Sequence, residues 1–144
     1  MSDEIALVDT NIIVYAYDTF DKRKHDKCKS LVEAAFKGEN RLAVSNQILA
    51  ETFFVLTRKL KNPISLDDAS TIISAIVDSV NWEKINYTHE TVRKAALLSK
   101  NRNISIWDAL IGETALENGI RRIYTENIKD FVKIPGLNVE NPMK

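Results

Sequence analysis

Residues 5–18 read IALVDTNIIVYAYD, a single carboxylate set between two apolar runs. Residues 5–9 (IALVD) read as a short buried strand, since so short an apolar run fits a strand covered on both faces, as in a parallel sheet. Asp9 then meets Thr10 and Asn11 before the apolar run resumes. Asp and Asn bond to nearby backbone and favour turns and helix N-caps, so a strand–helix junction is one reading. A metal or nucleophile site at the end of a central strand is the other. The rest of the chain decides between them.

Working outward, strand and helix signals alternate. Residues 10–17 read as a helical turn. Residues 22–37 carry His25, Cys28, Leu31, Val32, Ala35 and Phe36 at helical spacing, closed by Gly38. Residues 41–45 (RLAVS) read as a strand. Residues 46–61 form a strongly apolar helix stopped by Asn62-Pro63. A capping-box pattern at 65–68 (SLDD) opens a helix to Ser79. Residues 82–87 alternate as a strand would. A helix over 89–100 precedes a polar loop, KNRN, and 105–118 is helical up to Gly119. RRIYT (121–125) is a third clear strand, and LNVEN near the end adds another. This order predicts an α/β sandwich around a mostly parallel sheet, where ligands sit beyond the carboxyl ends of the strands. Asp9 stands at such an end.

Composition excludes several classes. The 144 residues suit one domain over 1–144, 44% apolar and 28% charged. No apolar run approaches the ~20 residues of a membrane span, and the acidic start MSDE is unlike a signal peptide. One cysteine, Cys28, cannot form an internal disulfide, which fits a reducing cytoplasm. Acidic and basic residues balance at 20 each, so bulk charge does not advertise nucleic-acid binding. The basic stretches are 21–27 (DKRKHDK), 58–61 and Arg121-Arg122, each also readable as a solvated face. Neither histidine has a ligand partner at metal spacing. With four glycines, the chain has no phosphate-cradling glycine loop and no GxSxG elbow.

Most carboxylates fall on helix starts or polar faces, among them Glu39, Asp67, Asp68 and Glu117. Two do not. Glu51 shares its turn of helix with Ile48, Ala50, Phe53, Phe54 and Val55, on a helix apolar almost all round and therefore expected to be buried. A carboxylate there needs a cation or hydrogen bonds, and Arg58 offers the simple ion pair. Asp108 closes the S-x-x-D pattern from Ser105, yet its face contains Ile111, Gly112 and Ala115, which pack inward. Glu113 points about 140° away from Asp108 on the same helix. Asp9, Glu51 and Asp108 come from distant segments, with no lysine or arginine in comparable surroundings. Gathered together they require a counter-charge, and a hard divalent ion, Mg²⁺ or Mn²⁺, supplies it.

In order along the chain, VDTNIIVYA, ILAETFFVLTRK, WDALIGETALENG and IYTENIKDF…IPGLNVENP resemble a PIN-domain nuclease, closest to the VapC-type toxins of type II toxin–antitoxin systems. The resemblance covers nearly the whole chain. It implies a PIN-like three-layer α/β/α sandwich and metal-dependent phosphodiester hydrolysis of RNA, with Mg²⁺, or Mn²⁺ as substitute, held by Asp9, Glu51 and Asp108. It places Asn11 beside the first acid as support. It places Thr125-Glu126-Asn127 at the T-x-D after the last central strand, so that Asn127 stands where an aspartate is usual. Glu126 or Asp130 are the acids near enough to substitute. It further implies an RNA substrate, a cognate antitoxin, a homodimer and no membrane association. The alternative is a PIN-fold module that binds RNA or protein without cutting. An aspartate-nucleophile phosphatase would need an acid two residues after Asp9, where Asn11 stands.

Overall fold

The computed structural model describes residues 4–144; the acidic start at 1–3 lies outside the described residues. Within them, five strands form one all-parallel sheet in the order β3-β2-β1-β4-β5: β1 Ala6–Val8, β2 Leu42–Ser45, β3 Trp82–Ile85, β4 Arg122–Tyr124 and β5 Asn138–Glu140. β1 and β2 are buried at every position, as the apolar runs predict.

Strand order fixes where the helices go. From β1 to β2 to β3 the chain steps in one direction, through α1 (Thr10–Tyr17), α2 (Lys22–Phe36), α3 (Asn46–Arg58) and α4 (Leu66–Asp78). It then returns through α5 (His89–Arg102) and α6 (Ile106–Glu117) to lay β4 on the free edge of β1. Because parallel crossovers are right-handed, reversing direction puts the two helix groups on opposite faces. The packing agrees: α1 contacts α2 and α3, α3 contacts α4, and α5 contacts α6. The chain thus has the expected three-layer sandwich. The reversal falls between β1 and β4, a crevice at the carboxyl edge of the sheet where ligands bind in this architecture. The backbone N–H of Asp9 donates to the Tyr124 carbonyl across that boundary (2.9 Å).

Several local expectations shift. Asp9 is not part of β1 but the N-cap of α1, its side chain accepting from the Thr10 N–H. α3 stops at Arg58, short of Lys61, and is not buried all round: Ile48, Thr52 and Leu56 form the buried stripe, while Phe54 is 51% exposed. α1, α4 and β2 pack against α3 and leave Phe54 exposed, so apolar composition alone overstated its burial. Lys100–Arg102 belongs to α5 rather than to a loop, with Asn103 in the left-handed conformation at φ 55°. Asn tolerates that conformation, and basic residues suit a helix's last turn. Strand β3 ends at Ile85 instead of Tyr87. No helix among the described residues is long and apolar enough to cross a membrane.

Candidate active site

Asp9, Glu51 and Asp108 line one cavity of about 500 Å³ at the switch point, together with Thr10, Asn11, Tyr15, Asp18 and Asn127, and no lysine or arginine among the described residues joins them. Each acid arrives from a different element. Asp9 follows β1, Glu51 lies one turn into α3, and Asp108 sits in the first turn of α6.

Asp9 is the anchored member. Its Oδ1 accepts from the Thr10 N–H (2.8 Å), and its Oδ2 from Asn11 Nδ2 (3.1 Å) and Thr125 Oγ1 (2.7 Å). Thr125 follows β4, is fully buried, and also accepts from the Asn127 N–H through the same hydroxyl (2.9 Å). Burial raises the Asp9 pKa, and these three donors offset part of that rise. Asn11 reaches further: its carbonyl accepts from the Glu126 N–H (3.2 Å), so one side chain ties α1 to the loop after β4.

Glu51 is held differently from the ion pair the sequence offered. Gln47 Nε2 donates to its Oε1 (2.6 Å), the Thr10 hydroxyl makes a long contact to its Oε2 (3.5 Å), and Arg58 is not among its partners. Gln47 leaves its own Oε1 buried without a partner among the described residues. Asp108 forms only half of a capping box: the Ser105 hydroxyl accepts from the Trp107 and Asp108 N–H groups, while the Asp108 carboxylate turns into the cavity. There Asn127 Nδ2 donates to Asp108 Oδ2 (3.1 Å) and to Asp130 Oδ2 (3.2 Å). Asn127 therefore is not a side-chain cap of α7 (Ile128–Phe131); its amide bridges two acids.

Electrostatics mark these groups as a unit. Desolvation is the largest cause of the raised pKa of both Glu51 and Asp108; Asp9 adds repulsion to each, and Asp130 and Glu51 add more at Asp108. Asp108 is pushed up to about 6. Cys28 is the opposite case: burial raises its thiol to about 11, which suits a packed side chain. Glu113 lies outside the cavity, as its helical phase predicts.

Sequence reasoning missed some neighbours. Glu126 faces away from the acids and is paired with Lys24 and the Tyr15 hydroxyl (2.7 Å), so it does not substitute for the fourth acid. Lys24, partly exposed, thus lies beside the site as the ion-pair partner of Glu126. Gln47, four residues before Glu51, carried a usable signal in its helical spacing. Asp18 had none, because only the fold returns the end of α1 to the cavity.

The PIN domain family model matches residues 6–137. The chain belongs to the PIN domain family. Among solved structures of similar fold is VapC20 of Mycobacterium tuberculosis, a sarcin–ricin loop cleaving toxin, at 22% identity and TM-score 0.69 over 90% of this chain and 93% of that one. VapBC2 of Rickettsia felis, bound to a DNA fragment from its promoter, is 25% identical with TM-score 0.68 over 95% and 98%. VapBC-1 of nontypeable Haemophilus influenzae is 22% identical with TM-score 0.65 over 97% and 99%. No curated relative matches this PIN protein by sequence.

No three His, Cys, Asp or Glu side chains among the described residues are drawn tightly enough together to hold an ion between them. Mutual repulsion opposes closer approach of bare carboxylates. The donor set nonetheless fits a hard cation: carboxylate oxygens from three segments around one cavity, raised pKa values, and no basic side chain lining it among the described residues.

Two predictions follow from this geometry. Thr125→Val removes the hydroxyl between Asp9 and the Asn127 N–H, and should lower stability in chelator by about 1–3 kcal/mol by denaturant unfolding, with Thr125→Ser largely neutral. Asp108 has its folded pKa above the ordinary 3.8, so the folded state binds its proton more tightly. The stabilisation this provides is complete below about pH 4 and lost as pH rises through about 6. Asp108→Asn should therefore melt higher than wild type in chelator at pH 7, by on the order of 1 kcal/mol after solvent screening, with the gap closing towards pH 4.

Proposed function

We propose that this PIN domain is a metal-dependent endoribonuclease that hydrolyses phosphodiester bonds in RNA, and that it is the toxin of a toxin–antitoxin pair. The observation that carries this reading is the convergence of Asp9, Glu51 and Asp108 on one cavity with no basic side chain lining it among the described residues. The three would hold Mg²⁺, or Mn²⁺ in its place, and a bound ion supplies phosphate charge neutralisation and water activation for in-line displacement.

The chain's own contribution is to hold the acids in place. Thr125, Asn11 and the Thr10 N–H orient Asp9, and Gln47 aims Glu51. Asn127 joins Asp108 to Asp130, an acid outside the cavity lining and the candidate for the fourth negative charge usual in the family. Turning the Asn127 amide over exchanges its NH₂ for its carbonyl, which suits a cation as its present orientation suits bare carboxylates. Within this reading the protein acts in the cytoplasm as a homodimer, with a cognate antitoxin covering the site; its neighbours from Rickettsia felis and Haemophilus influenzae were solved as VapBC complexes. A PIN-fold module that binds without cutting is the second reading, and Asn127 at the fourth-acid position is what favours it.

Cleavage of a structured RNA should vanish in EDTA and return with Mn²⁺ or Mg²⁺. Glu51→Gln should lower the rate by at least the ~100-fold that loss of a supporting group costs, while Glu113→Gln leaves it unchanged. Undiminished cutting by Glu51→Gln contradicts its assignment as a ligand. RNA binding without cleavage in any divalent ion selects the binding module.

A further inference from the structure

With acids and bases in balance, the chain needs a local place to grip a polyanion. A second cavity, about 430 Å³, adjoins the acid cavity across Asn127, which lines both. Arg23, Lys24, Lys129 and Lys144 line it, facing one carboxylate, Glu126. That carboxylate is already engaged by Lys24 and Tyr15. The remaining cations have no acid partner among the described residues. Arg23 donates Nη1 to the Met143 carbonyl (2.6 Å), leaving the rest of its fork uncommitted. Lys129 is exposed and has no hydrogen-bond or ion-pair partner among the described residues.

The other basic stretches are differently placed. Arg122 is held by Glu4, Glu140 and the Tyr124 hydroxyl, and Lys59 and Lys61 lie over the rings of Phe54 and Phe20. Leu60 of 58–61 lines the acid cavity itself, but the cations that line the cavity sharing its Asn127 wall include Arg23 and Lys24 of 21–27 and none from 58–61 or 121–122.

We propose that this basic cavity binds the phosphate of a nucleotide next to the one being cleaved, so that a polynucleotide crosses from Arg23 and Lys129, past Asn127, into the acid cavity. The inference rests on the nuclease reading and adds a substrate requirement to it. A guanidinium fork beside mobile ammonium groups matches phosphate oxygens, and the shared wall places them along one continuous chain. A substrate with only the scissile phosphate forgoes this contact. The preferred substrate is therefore an oligonucleotide carrying at least one flanking phosphate.

The test is anisotropy of a labelled single-stranded oligoribonucleotide with the full chain in chelator, between about 50 and 200 mM salt. Arg23→Gln/Lys129→Gln should weaken binding ~10-fold and flatten the plot of log affinity against log salt by ~0.7 per cation removed. Lys129→Gln alone, which breaks no contact seen in the fold, should flatten it by ~0.7, and Lys129→Arg should restore it. Lys100→Gln, on the opposite helix layer, should change nothing. A double variant that melts normally and keeps wild-type slope and affinity overturns the phosphate site, and leaves the nuclease reading standing if the wild type cuts RNA. So does unchanged RNA binding combined with loss of binding to a glutamate-rich peptide, which would assign the cavity to protein recognition. A wild-type protein that neither binds nor cuts RNA removes both proposals.

Discussion

A buried carboxylate has to be compensated, and the arrangement of this protein around Asp9 follows from that requirement. Asp9 sits where the sheet reverses its direction of growth, so a charge there cannot reach bulk water by a side-chain rotation alone. Its three donors come from its own helix N-terminus, from Asn11 one residue further, and from Thr125 across the switch point. Two of those donors are themselves bonded onward, to the Glu126 N–H and the Asn127 N–H. The loop after β4 is therefore shaped around the first acid, and that loop carries Asn127 and Asp130 to Asp108.

The compensation is incomplete by design of the charge distribution. Neutral donors hold Asp9 and Glu51, yet desolvation keeps the pKa of all three acids raised, and no basic side chain lines the cavity among the described residues to offset it. Cations have instead been set one residue's thickness away, behind Asn127, where Lys24 already neutralises Glu126. A cavity short of positive charge beside one with a surplus suits a ligand that brings a cation to the first and a phosphate to the second. This division also explains how a chain with no net charge could handle a polyanion.

Much of this was legible in the sequence, for identifiable reasons. Asp9 was legible because a charge ending a short buried strand has few places to go. Asp108 was legible because the apolar face carrying Ile111, Gly112 and Ala115 must pack inward, and the structure packs it so closely that a Cβ on Gly112 would lie 2.4 Å from Ile134 Cδ1. Glu51 does line the shared cavity, but the burial argument that singled it out holds only in part: α3 is buried along one stripe, and the partner of Glu51 is Gln47 rather than Arg58. Illegible were the contacts made by non-local geometry. Nothing at residues 24 and 126, 102 positions apart, announces an ion pair. Nor does the sequence show that Asn127 would bridge two acids instead of capping α7, because that depends on where α6 delivers Asp108.

Under the proposed function, the three acids form one cation-binding unit whose protonation is coupled to occupancy. Calorimetric titration of the full chain with Mn²⁺ near pH 6, in two buffers of different ionisation enthalpy, tests it most directly. Binding should be accompanied by proton release at pH 6, where Asp108 is part-protonated, with little release at pH 8. Asp108→Asn should weaken binding and abolish the buffer dependence. Absence of Mn²⁺ binding by the wild type, or isotherms that Asp108→Asn leaves unaltered, would contradict it.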